Sequence, residues 1–180
     1  MLTFDKNRRS LLAQSGQSGR VACVFLQSEK NGKSTPVNVT ADKLSYVDSE
    51  RKAVFSGHVL VKSEETTMQA ATVQILLLTR GAQAGAQGGS QLDRIVAEGD
   101  IQIQQGGRKA QGNKVVYTAA EQKFVLTGTP EQRPSIFDAE HGQITGDSLT
   151  FFTVGDRVLV GSGETSKNLT QIRNRDASKK

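Results

Sequence analysis

Ala41-Asp42-Lys43-Leu44-Ser45-Tyr46, a polar turn at Asp48-Ser49-Glu50-Arg51, and then Lys52-Ala53-Val54-Phe55-Ser56-Gly57-His58-Val59-Leu60-Val61 form the stretch that decides the fold. Successive side chains of an extended strand point to opposite sides. Leu44 and Tyr46 therefore share one face, and Ala53, Phe55, Val59 and Val61 share one face of the returning segment. This is the period-2 pattern of half-buried strands, joined here by a tight polar turn. Gly57 falls inside the second strand, where a residue without a side chain marks a bend or bulge.

The unit recurs. Asp42-Lys43-Leu44-Ser45-Tyr46 aligns with Asn113-Lys114-Val115-Val116-Tyr117, with Asp147-Ser148-Leu149-Thr150-Phe151, and more loosely with Ala71-Thr72-Val73-Gln74-Ile75. The first three read polar, any residue, aliphatic, any residue, aromatic, and Ala71–Ile75 is a degenerate copy. Gly57 follows Tyr46 by 11 residues and Gly128 follows Tyr117 by 11, whereas Gly99 follows Ile75 by 24. The excess of 13 is about the length of the low-complexity stretch Gly81–Ser90, which reads as a loop inserted in one turn. Leu2-Thr3-Phe4 and Leu11–Ser15 superpose on Leu44-Ser45-Tyr46 and Ala53–Gly57, so the chain opens in the middle of a unit. Repeat arrays close on a capping unit, and upstream sequence is therefore expected. In the last unit Phe151 lies 10 residues from Gly161 and 12 from Gly163, which leaves its register open.

Stacked units of strand, turn, strand and bend predict an all-β, elongated and twisted antiparallel half-open sandwich. The inward set begins with Leu2, Phe4, Leu11 and Ala13. It continues with Leu44, Tyr46, Ala53, Phe55, Val59, Val61, Val73, Ile75, Leu77, Ile95, Ala97, Ile101 and Ile103. Val115, Tyr117, Phe124, Leu126, Leu149 and Phe151 complete it. These residues make one apolar stripe along the length of the fold.

Composition narrows the function. Of 180 residues only 36% are hydrophobic and 5% aromatic, with no Trp, 3 Pro and 18 Gly, which suits many small strands better than thick helices. The net charge of +5 sits at the ends. Residues 1–52 carry 9 basic and 5 acidic groups (+4), residues 167–180 carry 5 and 1 (+4), and 53–166 carry 9 and 12 (−3). A nucleic-acid binder concentrates basic charge on its folded body, so no nucleic-acid partner is expected. No apolar run approaches the ~18 residues of a membrane span, and Met1–Asn7 lacks the basic start and apolar stretch of an export signal.

Catalytic and metal-binding patterns are missing. The single cysteine, Cys23, stands among Val21, Ala22, Val24, Phe25 and Leu26 and reads as a small buried hydrophobe. His58 and His141 lie far apart and read as surface histidines. The recurrent Asp42, Asn113 and Asp147 lack the nine-residue spacing of calcium rolls and read as turn or capping hydrogen bonders. Ser162 lacks a nucleophile elbow, Glu64-Glu65 reads as a solvated turn, and Gly81–Ser90 has no phosphate-cradle spacing. Arg108-Lys109 could meet lipid phosphates, but the plain reading is exposed turn charge. No enzyme, cofactor or metal is expected.

Ala41–Val61, Val96-Ala97-Glu98-Gly99-Asp100-Ile101-Gln102-Ile103 and Gly112-Asn113-Lys114-Val115-Val116-Tyr117, recurring in order, resemble the OstA-like or LptA-type family of periplasmic lipopolysaccharide-transport proteins. The likeness covers residues 37–163 well and 2–36 loosely. It implies a twisted β-jellyroll whose interior holds acyl chains. It also implies a periplasmic location, with any export signal in missing upstream sequence. End-to-end strand pairing with other β-jellyroll transport proteins, or with further copies, is implied too. On that reading residues 1–36 are a partial leading repeat, 37–163 the jellyroll repeats, and 164–180 a disordered basic tail. The lipid lining would be Leu44, Tyr46, Phe55, Val59, Val61, Val73, Ile75, Ile95, Ile101, Ile103, Val115, Tyr117, Phe124, Leu126, Leu149 and Phe151. The alternative is an envelope scaffold with the same fold and no lipid cargo. Loss of lipopolysaccharide binding on Phe55→Asp or Ile101→Asp, with the fold retained, would separate the two.

Overall fold

The structure is a computed structural model that describes residues 1–16, 19–28, 34–64, 66–78, 92–139, 142–152 and 158–161. The loop at 81–90, His141, Ser162 and the tail from residue 164 lie outside the described residues. The strands in chain order are β1 (Leu2–Asp5), β2 (Ser10–Gln14), β3 (Val21–Ser28), β4 (Ser34–Ala41), β5 (Lys43–Val47), β6 (Lys52–Lys62), β7 (Thr66–Leu77), β8 (Leu92–Gln105), β9 (Arg108–Thr118), β10 (Lys123–Thr127), β11 (Ser135–Asp138), β12 (Gly142–Thr145), β13 (Ser148–Phe152) and β14 (Val158–Gly161). All pairings are antiparallel and belong to one sheet.

That sheet folds over along a line. The four long strands β6 to β9 cross the line, and each contributes one half to either layer. Gly57 and His58 of β6, both at positive φ (79° and 46°), stand where a single residue of β7, Ala71, would be expected. Gly99 and Asp100 of β8 (81° and 48°) do the same opposite Asn113 of β9. Two residues against one is a bulge, which bends and twists the strand carrying it. A Cβ on Gly99 would lie 2.7 Å from the Cβ of Ala71, so this crossing requires a glycine. The first layer runs β1-β2-β5-β6-β7-β8-β9-β10-β13-β14. In the second, β3 pairs β4, β4 pairs the far half of β6, the far half of β9 pairs β11, and β11 pairs β12.

Two inward rows cross the first layer without a break. One runs Leu2, Ala13, Leu44, Phe55, Val73, Ala97, Val115, Leu126, Leu149 and Val160, each the direct cross-strand partner of the next. The other runs Phe4, Leu11, Tyr46, Ala53, Ile75, Ile95, Tyr117, Phe124, Phe151 and Val158. The repeat inferred from spacing is therefore a real structural register. Tyr46 pairs with Ala53, Tyr117 with Phe124, and Phe151 with Val158, seven residues apart each time. The last pair settles the open register of the final unit: Ser148 pairs with Gly161 and Leu149 with Val160.

A third row, Cys23, Val39, Val61, Met68, Ile103, Ala110, Ile136 and Ile144, crosses the second layer. Apart from Leu2, Phe4 and Leu11, the rows make one continuous core. The Phe25 ring of β3 meets the Phe55 ring of β6 edge-on at 6.0 Å, joining the layers near one end. Leu2 and Phe4, expected inside, are instead 71% and 64% exposed. Among the described residues β1 pairs with β2 alone, at the edge of the first layer. Correct alternation does not by itself bury the side chains of an edge strand.

Candidate functional apolar trough and its open end

Of the sixteen residues expected to line the interior, thirteen are buried: Leu44, Phe55, Val59, Val61, Val73, Ile75, Ile95, Ile101, Ile103, Val115, Tyr117, Leu126 and Leu149. The other three, Tyr46, Phe124 and Phe151, are half-buried and pack against that core. All sixteen thus fall into one cluster. They are not equally reachable. Phe55, Val73 and Leu126 are 0% exposed and Ile101 is 1%, so the middle of the trough is filled by its own side chains, and the filling reaches Leu149 of β13, also 0% exposed.

The layers part at the end made by β11 to β14. There a small, partly open cleft lies between Ile103, Ala110 and Ile136 of the second layer and Phe151, Phe152 and Val158 of the first. Phe151 continues into an aromatic stack. Its ring lies 4.8 Å from Phe124 at an interplanar angle of 10°, and Phe124 lies 4.5 Å from Tyr117. The stack occupies the position where each repeat ends in a large apolar residue.

One charged pair sits in this end. Gln105 and Arg108 flank the tight Gly106-Gly107 turn and are cross-strand partners. Arg108 has the parity of Ala110, and Asp138 that of Ile136, so both side chains project on the inward side. Nε of Arg108 donates to Oδ2 of Asp138 at 2.6 Å, with the Arg108 side chain 29% exposed. Arg108 is therefore not the solvated turn charge expected from its sequence position; Lys109, the next residue of β9, is exposed. Sequence reasoning missed Asp138, because the β9–β11 pairing that brings it to Arg108 spans 30 residues.

The polar line at the corner is structural. The Asp42 amide donates to the Gly57 carbonyl at 3.0 Å, and the Ser15 amide donates to the Asp42 carbonyl at 2.7 Å. The Asp42 carboxylate stands 2.7 Å from Nδ1 of His58, whose side chain is 86% exposed. The Asp147 amide donates to the Gly161 carbonyl at 3.0 Å. Among the described residues no three His, Cys, Asp or Glu side chains gather as a metal site would require. Cys23 is half-buried beside Val39, and burial pushes its thiol pKa above the ordinary value.

An antiparallel sheet folded over an apolar interior and built from repeated hairpins is the architecture of the lipopolysaccharide-transport jellyrolls. The family described as LptA/(LptD N-terminal domain) LPS transport protein matches residues 38–156, and the chain belongs to it. An uncharacterized protein of Rhizobium meliloti (strain 1021) is 30% identical over 93 residues, 52% of this chain and 50% of that protein. The chain thus spans about half the length of this curated relative. Among solved structures, LptH of Pseudomonas aeruginosa superposes with a TM-score of 0.57 at 17% identity, over 78% of this chain and 96% of that one. It is described as the LptA-homologous periplasmic component of the lipopolysaccharide transport device, and the likeness establishes a common fold.

Proposed function

We propose that the protein is a non-enzymatic carrier that shields lipopolysaccharide acyl chains between its two β-layers on their way across the periplasm to the outer membrane. The observation that carries this reading is the cleft at the β11–β14 end. It opens onto the same apolar rows that fill the middle of the trough, and its walls come from different layers. An acyl chain gains about 0.8 kcal/mol for each CH₂ taken out of water. A chain sliding inward replaces side-chain contacts across the layers with contacts of the same chemical kind, so no charged clamp is needed along the way. Ile103 and Phe151 would meet lipid first, then Phe124 and Tyr117. Phe55, Val73, Leu126 and Leu149 would meet it only as the layers separate.

The strands at the two ends supply the proposed partners. Main-chain groups on an unpaired edge are templates for strand addition; among the described residues β1 at one end and β12 and β14 at the other each have one neighbour, which fits head-to-tail joining to other jellyrolls or to further copies. The proposed periplasmic location rests on the family and on the description of the Pseudomonas protein as a periplasmic component.

The filled middle also suits a scaffold without cargo, and one experiment separates the readings. Lipopolysaccharide binding is titrated on the wild type, on Phe151→Asp and on Phe137→Asp, with circular dichroism verifying the strand signal. Phe137 projects outward and is 49% exposed. Saturable binding lost in Phe151→Asp and kept in Phe137→Asp supports the carrier. A folded wild type that binds no lipopolysaccharide leaves the scaffold.

A further inference from the structure

We propose that Arg108 is a head-group site: it recognises the anionic head of an amphiphile whose chain occupies the cleft, with Asp138 holding the guanidinium in place until the ligand arrives. The inference rests on the acyl-chain reading above and adds to it a charge requirement at one defined place. Arg108 lies in the wall of the cleft beside Ile103, Ala110, Ile136, Phe151 and Val158, so cation and apolar wall form one surface. Inward-facing charge is costly at the rim of an apolar interior unless it is paired, and the Asp138 carboxylate supplies that pairing at 2.6 Å. The carboxylate comes from a different strand, brought opposite Arg108 by the β9–β11 ladder, in which Arg108 and Asp138 are direct partners. A guanidinium carries five donors in a planar fork suited to carboxylates and phosphates. It can thus exchange Asp138 for an incoming oxyanion, or bridge the two, without leaving the rim. The ligand class is an acyl or alkyl chain ending in a phosphate or carboxylate, and a neutral chain of equal length is the poorer ligand.

Calorimetric titrations with dodecyl phosphate, dodecyl maltoside and inorganic phosphate test this on the wild-type chain and on Arg108→Gln, Arg108→Lys and Asp138→Asn. Loss of a charge-assisted contact predicts that Arg108→Gln weakens dodecyl phosphate by about tenfold or more, with dodecyl maltoside changed by less than about twofold. Arg108→Lys restores part of the loss. Asp138→Asn, which removes the competing anion, tightens dodecyl phosphate. Inorganic phosphate does not bind measurably, since it lacks the chain. Arg108→Gln removes the guanidinium that faces Asp138, so the double variant Arg108→Gln/Asp138→Asn serves as a second carrier of the test if the single variant unfolds. Equal weakening of both detergents, or undiminished dodecyl phosphate binding in either Arg108→Gln background, overturns the head-group assignment and leaves the acyl-chain cleft standing. No binding of either detergent by the wild type overturns both.

Discussion

The Asp42 amide donates to the Gly57 carbonyl at 3.0 Å, and a Cβ placed on Gly57 would lie 2.9 Å from the Cβ of Asp42. The two residues thus meet at the line where the sheet folds over, backbone against backbone. Gly57 also holds φ at +79°, in the left-handed region. Gly57→Ala therefore combines left-handed backbone strain with overpacking and is expected to destabilise the fold by about 2–4 kcal/mol. Gly16→Ala, with nothing within 4 Å of the added Cβ, is expected to stay within about 0.5 kcal/mol. Urea titration of both variants measures the difference.

Phe55 is 0% exposed, partnered by Leu44 and Val73, and met edge-on by Phe25. Phe55→Ala is expected to cost about 3–5 kcal/mol, read from the shift of the urea midpoint. Phe55→Asp or Ile101→Asp places an unpaired carboxylate where no water reaches, and the expected result is unfolding. Those two changes are thus tests of stability, and lipid contact is better tested at Phe151.

Met1 and Gln14 exchange both backbone hydrogen bonds at 2.9 Å. Antiparallel pairs alternate between hydrogen-bonded and non-hydrogen-bonded, so the N–H of Leu2 points away from β2, toward the edge. Leu2→Pro removes an edge donor and no β1–β2 bond. If β1 joins a second jellyroll by strand addition, Leu2→Pro lowers association in sedimentation velocity and shifts the melting temperature by less than about 2 °C, the equivalent of roughly 0.5 kcal/mol. Association equal to wild type assigns joining to another edge.

The Cys23 thiol has its pKa raised, first by burial, with an opposing hydrogen bond from the Val24 backbone. Its ionised form is therefore less favourable in the fold than in the unfolded chain. The corresponding stability is fully present below the unfolded thiol's pKa and lost as pH rises through the higher folded value. Alkylation by iodoacetamide at pH 8 is expected to be slow in the native protein and to accelerate on unfolding in urea. Stability measured in alkaline buffer is expected to decline less steeply for Cys23→Ala.

The first layer was legible in the sequence and the second largely was not, for a reason visible at Ala71. β6 carries the two-residue bulge, and its odd-numbered residues stay inside on both sides: Ala53 and Phe55, then Val59 and Val61. β7 supplies only Ala71 opposite that bulge, so its inward parity flips, from Met68 and Ala70 to Val73 and Ile75. β9 flips in the same way, from Ala110 to Val115 and Tyr117 across Asn113. Alternation read outward from Val73 or Val115 ends at the corner, and Met68, Ala70 and Ala110 escaped it. Val37, Val39 and Ile136 escaped because their strands are recruited by the far halves of β6 and β9, pairings that local periodicity does not encode. The Arg108–Asp138 pair was hidden for the same reason. Repeat spacing did carry the hairpins, since a constant turn length forces Tyr46–Ala53, Tyr117–Phe124 and Phe151–Val158 into equal registers.

Whether lipid lies between the layers is measured most directly by photocrosslinking from inside them. p-Benzoylphenylalanine replaces Phe151 at the cleft, Leu126 in the filled middle, or Val24, which is 60% exposed on the outside, and each protein is irradiated with lipopolysaccharide. Crosslinks from position 151, with position 24 silent, are the predicted result, and crosslinks from 126 that grow with lipid concentration would show the layers parting. A folded protein that crosslinks as well from 24 as from 151, or from neither, contradicts a lipid path through the trough.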